Sequence, residues 1–180
     1  MEDDSFSQLL SAINDPNITT EELISNDQFQ AAMKKEYPPL IDFLKKEKTI
    51  RDLAKWCFDP TLVKDSRFKK ISSIAIFILT STMPSIFQIF VKSHILATII
   101  HDFLLTDAST YPMQCGFLSR IISQQIRWSE PIVFKDFPDI SVLLVKNIAS
   151  IAIQDIVVTI SAREQIPLYT EMNIILLLSE

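Results

Sequence analysis

The chain has 180 residues, a net charge of −5, 48% hydrophobic and 22% charged residues. Such a composition excludes a disordered chain and permits one domain with a real core. Its single glycine, Gly116, compares with about 13 in an average protein of this length. That excludes glycine-rich phosphate loops and argues against a hairpin-rich β fold, whose tight turns need glycine. Two cysteines, Cys57 and Cys115, make no disulfide framework, and Met1-Glu2-Asp3-Asp4 is not a secretory signal. The expectation is a reducing compartment, cytoplasmic or also nuclear.

In chain order, the first elements are acidic. Residues 1–33 carry seven acids and no lysine or arginine. Helices are expected near 4–14, 20–25 and 27–36, the second opened by the capping box Thr19-Thr20-Glu21-Glu22. Residues 34–70 hold eleven bases against six acids, read as solvated helix faces or as a patch for an acidic partner. Helices are expected there near 39–46 and 50–58, with Thr49 as a weaker cap. The remaining 110 residues hold only six bases and nine acids, which implies helices buried on several sides or covered by another chain. Apolar residues four apart, such as Ile95, Ile99 and Phe103, predict helices near 66–80, 84–91, 94–105 and 112–127. Helices near 131–136, 138–148, 150–162 and 168–179 follow. Prolines 16, 38, 39, 60, 84, 112, 131, 138 and 167 fall near the boundaries, where the missing N–H costs least. Ser93, Ser129 and Ser150 stand at N-cap positions.

Residues 71–91 carry no charge and match the length of a membrane span of about 20 residues. Seven polar residues and the break at Ser81-Thr82-Met83-Pro84 instead predict two buried helices. The fold class expected is all-α, a solenoid of short antiparallel helices of the HEAT or armadillo kind, although no strict repeat period is visible.

No catalytic motif emerges. His94 and His101 lie seven apart, with Asp102 beside the second, but no further metal ligand has suitable spacing. Cys57, between Trp56 and Phe58, reads as a packed thiol. Asp155 stands out in the apolar run 151–160, either on a solvent face, as a partner contact, or in a buried helix-end bond. The expectation is therefore a chain that is not an enzyme and takes neither cofactor nor metal, nucleic acid nor membrane.

Several segments together resemble one family. Residues 8–27 are similar to an opening of the form "vTLeELLdeed", and Leu40-Ile41-Asp42-Phe43-Leu44 resembles "kLLdFL". Residues 75–86, with Thr80, Ser81 and Pro84, resemble "AcEILTSdvpqI". Phe117-Leu118-Ser119-Arg120-Ile121-Ile122 resembles "FFsKvm", and 151–157, with Asp155, resemble "sAIMDLLL". The order and spacing are those of SAPS-domain proteins, regulatory subunits of serine/threonine protein phosphatase 6. Phe77 and Thr159 stand where that family carries an acidic and a basic residue. The resemblance implies a single SAPS-like domain over 1–180, with acidic helices over 1–36 and a solenoid over 37–180 that is incomplete at its C-terminus. It also implies a non-catalytic scaffold that binds a type 6-like phosphatase catalytic subunit and further scaffold proteins, directing the phosphatase to substrates. Asp42, Phe43, Thr80, Ser81, Pro84 and Asp155 are the contact candidates, and the alternative is a general helical-repeat adaptor with an unrelated partner.

Overall fold

A computed structural model describes residues 6–162. Among them it is all-helical, with no strand. The helices are α1 (Ser7–Asn14), α2 (Thr20–Ile24), α3 (Phe29–Lys34), α4 (Pro38–Leu44), α5 (Glu47–Phe58), α6 (Phe68–Leu79), α7 (Pro84–Val91), α8 (His94–Leu105), α9 (Pro112–Trp128), α10 (Ile132–Asp136), α11 (Ile140–Lys146) and α12 (Ile151–Ser161). Short 3-10 turns occupy Pro60–Lys64 and Ala108–Thr110. The expected helix over 168–179 lies outside the described residues.

Local sequence explains most boundaries. Pro38, Pro84 and Pro112 each open a helix at a position that needs no N–H partner. Thr19 accepts from the Glu22 backbone while the Glu22 carboxylate takes the Thr19 N–H at 3.0 Å, completing the capping box. Ser93 Oγ accepts from Leu96 N at 3.1 Å and starts α8. Ser150 is the N-cap of α12, but its side chain makes no cap bond. Two expected caps are corrected. Thr49 is buried inside α5, which begins at Glu47, because Ile50, Leu53, Ala54 and Cys57 all turn one stripe to the core and the helix extends upstream to present it. Ser129 is the extended C-cap of α9, and Pro131 is the N-cap of α10. The spans expected at 27–36 and 138–148 are also shorter. Asn26 Oδ1 takes the Gln28 N–H in a turn before α3, and Glu36 ends that helix with a left-handed φ of 48°. Asn147, after α11, gives its amide to the carbonyls of Leu104 and Leu143.

The uncharged stretch 71–91 is two helices, α6 and α7, bent by 98°. Thr80 ends α6 by donating its hydroxyl to Ile76 O, and Ser81 Oγ accepts from Met83 N before Pro84 restarts the chain. No single helix among the described residues is long and apolar enough to cross a membrane.

The helices pack in rows. α1 packs on α4 and α4 on α7; α2 packs on α5, α5 on α8 and α8 on α11; α6 packs on α9 and α9 on α12. Each pairing joins a helix to the third one after it. Buried Leu40, Ile86 and Val133 each sit two residues after a proline, and Ala75, Ile121 and Ile160 are buried in the third row. The contact of α9 with α12 is the most extensive. There Leu118, Ile121 and Ile122 are buried, as are Ile153, Ile156, Val157 and Ile160. Each such side chain contributes roughly 1.5–3 kcal/mol of transfer free energy. One continuous hydrophobic cluster runs from Phe6 to Ile160.

Candidate functional site

The structure separates the six sequence candidates. Thr80, Ser81 and Pro84 form the α6–α7 corner, with Ser81 buried and Pro84 exposed. Asp42 and Phe43 are on α4, which belongs to a different row. Asp42 is exposed and pairs with Lys45 Nζ at 2.9 Å. Phe43 is buried, and Lys46 Nζ lies 5.0 Å from its ring centre. The corner and α4 are neighbours, since α4 packs on α7, and the Glu36 carboxylate before α4 accepts from Ser85 N at 3.1 Å. Asp155 is on α12, whose main neighbours are α9 and α11. Its side chain is exposed, so the buried helix-end bond does not form. The corner and Asp155 therefore share the row α6–α9–α12, at opposite ends.

That row leaves a mixed surface. Phe77 of α6 is 42% exposed and Val158 of α12 is 66% exposed, and Arg120 of α9 is exposed between them in the chain. Gly116 sits in α9 with nothing within 4 Å of the place a Cβ would take, so the row opens to solvent there. Exposed apolar side chains beside charges are the pattern of a contact face with anchors and a polar rim.

A second surface was not foreseen residue by residue. A groove of about 370 Å³ runs between α5 and α8, with Arg51 and Lys55 on one wall, Ile99 and Asp102 on the other, and Phe58 and Phe103 beneath. The two floor rings are 5.4 Å apart. Two further grooves follow the helix corners: about 360 Å³ between the α1–α2 and α4–α5 connections, and about 530 Å³ between the α4–α5 and α7–α8 connections. The only sequence signal for the first groove was the excess of bases over 34–70 and the four-residue spacing of Arg51 and Lys55.

The histidines are not a ligand pair. His94 Nδ1 lies 2.6 Å from Asp136, and His101 Nε2 lies 3.1 Å from both oxygens of Asp139. His101 also stacks on Phe137, with ring centres 4.1 Å apart. Both pairs fasten α8 to the α10–α11 segment. No cluster of three metal-ligating side chains occurs among the described residues. Cys57 and Cys115 are buried free thiols, and burial raises both pKa values, which keeps them as unreactive thiols. Asp65 differs: two hydrogen bonds from the Arg67 guanidinium, helped by the Arg67 N–H, pull its pKa down to about 2.

No family model, no curated protein and no solved structure matches this chain.

Proposed function

We propose that this chain is a non-catalytic scaffold of armadillo-like type, cytoplasmic or also nuclear. Its α6–α9–α12 row carries the catalytic subunit of a type 6-like serine/threonine phosphatase and directs it to substrates. The observation that carries the reading is that several helices pack on the third one after them, with Pro38 and Pro84 opening α4 and α7 at an interval of 46 residues, a spacing typical of armadillo and HEAT repeats. Stacked repeats of this kind serve as extended binding surfaces. The choice of partner rests on the resemblance of residues 8–157 to the SAPS-domain family. Three of the five resembling segments fall on the α6–α9–α12 row and its corner. Thr80, Ser81 and Pro84 would shape one end of the contact face, Phe77 and Val158 would anchor it, and Asp155 would supply a charged rim. Asp42 and Phe43 would brace the corner through α4.

The experiment is capture of a purified type 6-like catalytic subunit by the tagged chain, with the variants Phe77→Glu and Asp155→Arg. Expected is a near-equal complex with the wild-type chain that weakens at least about tenfold in both variants, the order of a lost interface anchor. A folded, helical wild-type chain that captures no phosphatase overturns this reading. The second reading in that event is a helical-repeat adaptor with an unrelated partner.

A further inference from the structure

The groove between the α1–α2 and α4–α5 connections ends on the first turn of α5. Lys46 is the N-cap of that 12-residue helix, and Lys48 and Thr49 are its second and third residues; all three line the groove. A first turn leaves its N–H groups without partners inside the helix. Here the N-cap side chain makes no cap bond, and the N–H groups of Glu47, Lys48 and Thr49 have no hydrogen-bond partner among the described residues. They form the positive end of the α5 dipole.

A side chain points to a ligand independently of the helix end. Thr49 is only 2% exposed and lines the groove, yet its hydroxyl has no hydrogen-bond partner among the described residues. The enclosed side-chain atoms that lack a partner there are Gln114 Nε2 and Gln124 Nε2. Thr49 Oγ1 is unpaired without being enclosed, so the little surface this residue keeps includes its hydroxyl, on the groove. Thr20, the other buried threonine of the lining, already gives its hydroxyl to Asp52 at 2.6 Å. Buried hydroxyls are nearly always paired, and a ligand acceptor would pair this one.

The charges of the lining are uneven. Lys48 is exposed and without an ion-pair partner among the described residues. Lys46 also lacks a carboxylate partner among them, and its Nζ stands 5.0 Å from the ring centre of Phe43, which lines the same groove. The carboxylate of the lining, Asp15, is on the opposite wall, where its Oδ1 accepts from Asn17 N at 2.8 Å. Glu47 lines the neighbouring groove instead. Two ammonium groups, the first-turn amides and a hydroxyl donor thus face one carboxylate.

We infer that the N-terminal turn of α5 binds a phosphate group, with the Lys48 and Thr49 N–H groups and Thr49 Oγ1 donating to its oxygens and Lys46 and Lys48 balancing its charge. Helix N-termini bind anions through such amides. A phosphate offers three strong acceptor oxygens and close to two negative charges, which matches donors of three kinds better than the two oxygens of a carboxylate do. The groove, about 360 Å³, is within the roughly 300–1,000 Å³ of ligand pockets and has room for the group and the residue that carries it. The inference is independent of which enzyme the α6–α9–α12 row carries.

The test is a titration of the full chain, labelled with nitrogen-15, followed by NMR amide shifts at constant ionic strength. The probes are inorganic phosphate, a short peptide with one phosphoserine, and the same peptide unphosphorylated. Expected are saturable shifts of the Lys48 and Thr49 amides with inorganic phosphate, the phosphopeptide or both, and none with the unphosphorylated peptide or with chloride. Tighter binding of the phosphopeptide assigns the group to a phosphorylated protein segment; equal or weaker binding assigns it to free phosphate. Thr49→Val, which keeps the buried shape and removes the hydroxyl, is expected to weaken binding about fivefold or more, and Lys46→Gln/Lys48→Gln about tenfold or more, with helicity unchanged by circular dichroism. The variant Lys69→Gln/Lys70→Gln, on exposed positions of α6, is expected to leave binding within about twofold, because those charges lie outside the groove. The inference is overturned by any of three results: no saturable shift at these amides with either phosphate probe, equal shifts with chloride, or wild-type affinity in the Lys46→Gln/Lys48→Gln variant.

Discussion

Glu36 is a non-glycine residue with left-handed φ, 48°. Its backbone closes α3: Glu36 N–H donates to Met33 O and Tyr37 N–H to Ala32 O, the bond pattern that glycine usually serves. A glutamate is useful there because its carboxylate reaches Ser85 N and caps α7, whose own N-cap residue, Met83, makes no side-chain bond. Glu36→Ala keeps the backbone strain and loses the cap, whereas Glu36→Gly loses the cap and relieves the strain. Urea denaturation is expected to rank the glycine variant about 1 kcal/mol above the alanine variant. Gly116 presents the opposite case, a glycine inside a helix with open space around it. Gly116→Ala is expected to stabilise the fold by about 1 kcal/mol, read from the same unfolding curves. At Asp65 the folded carboxylate titrates near 2, below the ordinary value of about 3.9. A depressed folded pKa gives stability that is present above the unfolded value and lost as pH falls through the folded one. Carboxyl chemical shifts followed by NMR are expected to show Asp65 still charged at pH 3, and Arg67→Ala is expected to bring its midpoint back toward the ordinary value.

Between elements, buried polar bonds decide which helix meets which. Asn147 is buried and makes three long-range or helix-end contacts. Its amide donates to Leu104 O and Leu143 O, and its Oδ1 accepts from Ser109 N. It therefore joins the end of α11 to the end of α8 and to the following 3-10 turn. Asn147→Ala takes the side-chain partner from Leu104 O and from the Ser109 N–H, while Leu143 O keeps its backbone bond, and is expected to cost about 2–4 kcal/mol in thermal or urea unfolding. Thr20 and Glu21 act in the same way at the other end, where Thr20 donates to Asp52 at 2.6 Å and Trp56 Nε1 donates to Glu21 at 2.8 Å, fixing α2 on α5. The partners on different helices cannot be paired from sequence, because they lie 32 to 43 residues apart.

Over the whole molecule, α5 is the hub, in contact with α2, α4, α6, α8 and α9. Helices with many packed neighbours open only with the whole fold, whereas end helices open locally. Hydrogen exchange followed by mass spectrometry is expected to show the slowest amides in α5, α8 and α9 and faster exchange in α1 and α2. Equal protection throughout would mean that the stack opens as a single unit. The same arrangement sets the two surfaces, since the third row presents Phe77, Arg120 and Asp155 while the second encloses the groove of Arg51 and Lys55.

By itself the sequence determined the helices and their breaks. Four-residue spacing of apolar side chains, prolines at first turns and the Thr19 and Ser93 caps are local physics, acting within a few residues. The bend at Ser81 to Pro84 and the burial of Cys57 were legible for the same reason. Thr49 was misread because the capping preference of a threonine is worth about 1 kcal/mol and the burial of Ile50, Leu53 and Cys57 is worth several. Only the tertiary structure decided that His94 and His101 pair with Asp136 and Asp139, that Asp155 makes no buried helix-end bond, and that Arg51 and Lys55 border an aromatic groove. Each of these depends on which helices become neighbours, and that follows from packing distant apolar stripes together, a non-local choice that no window of the sequence contains.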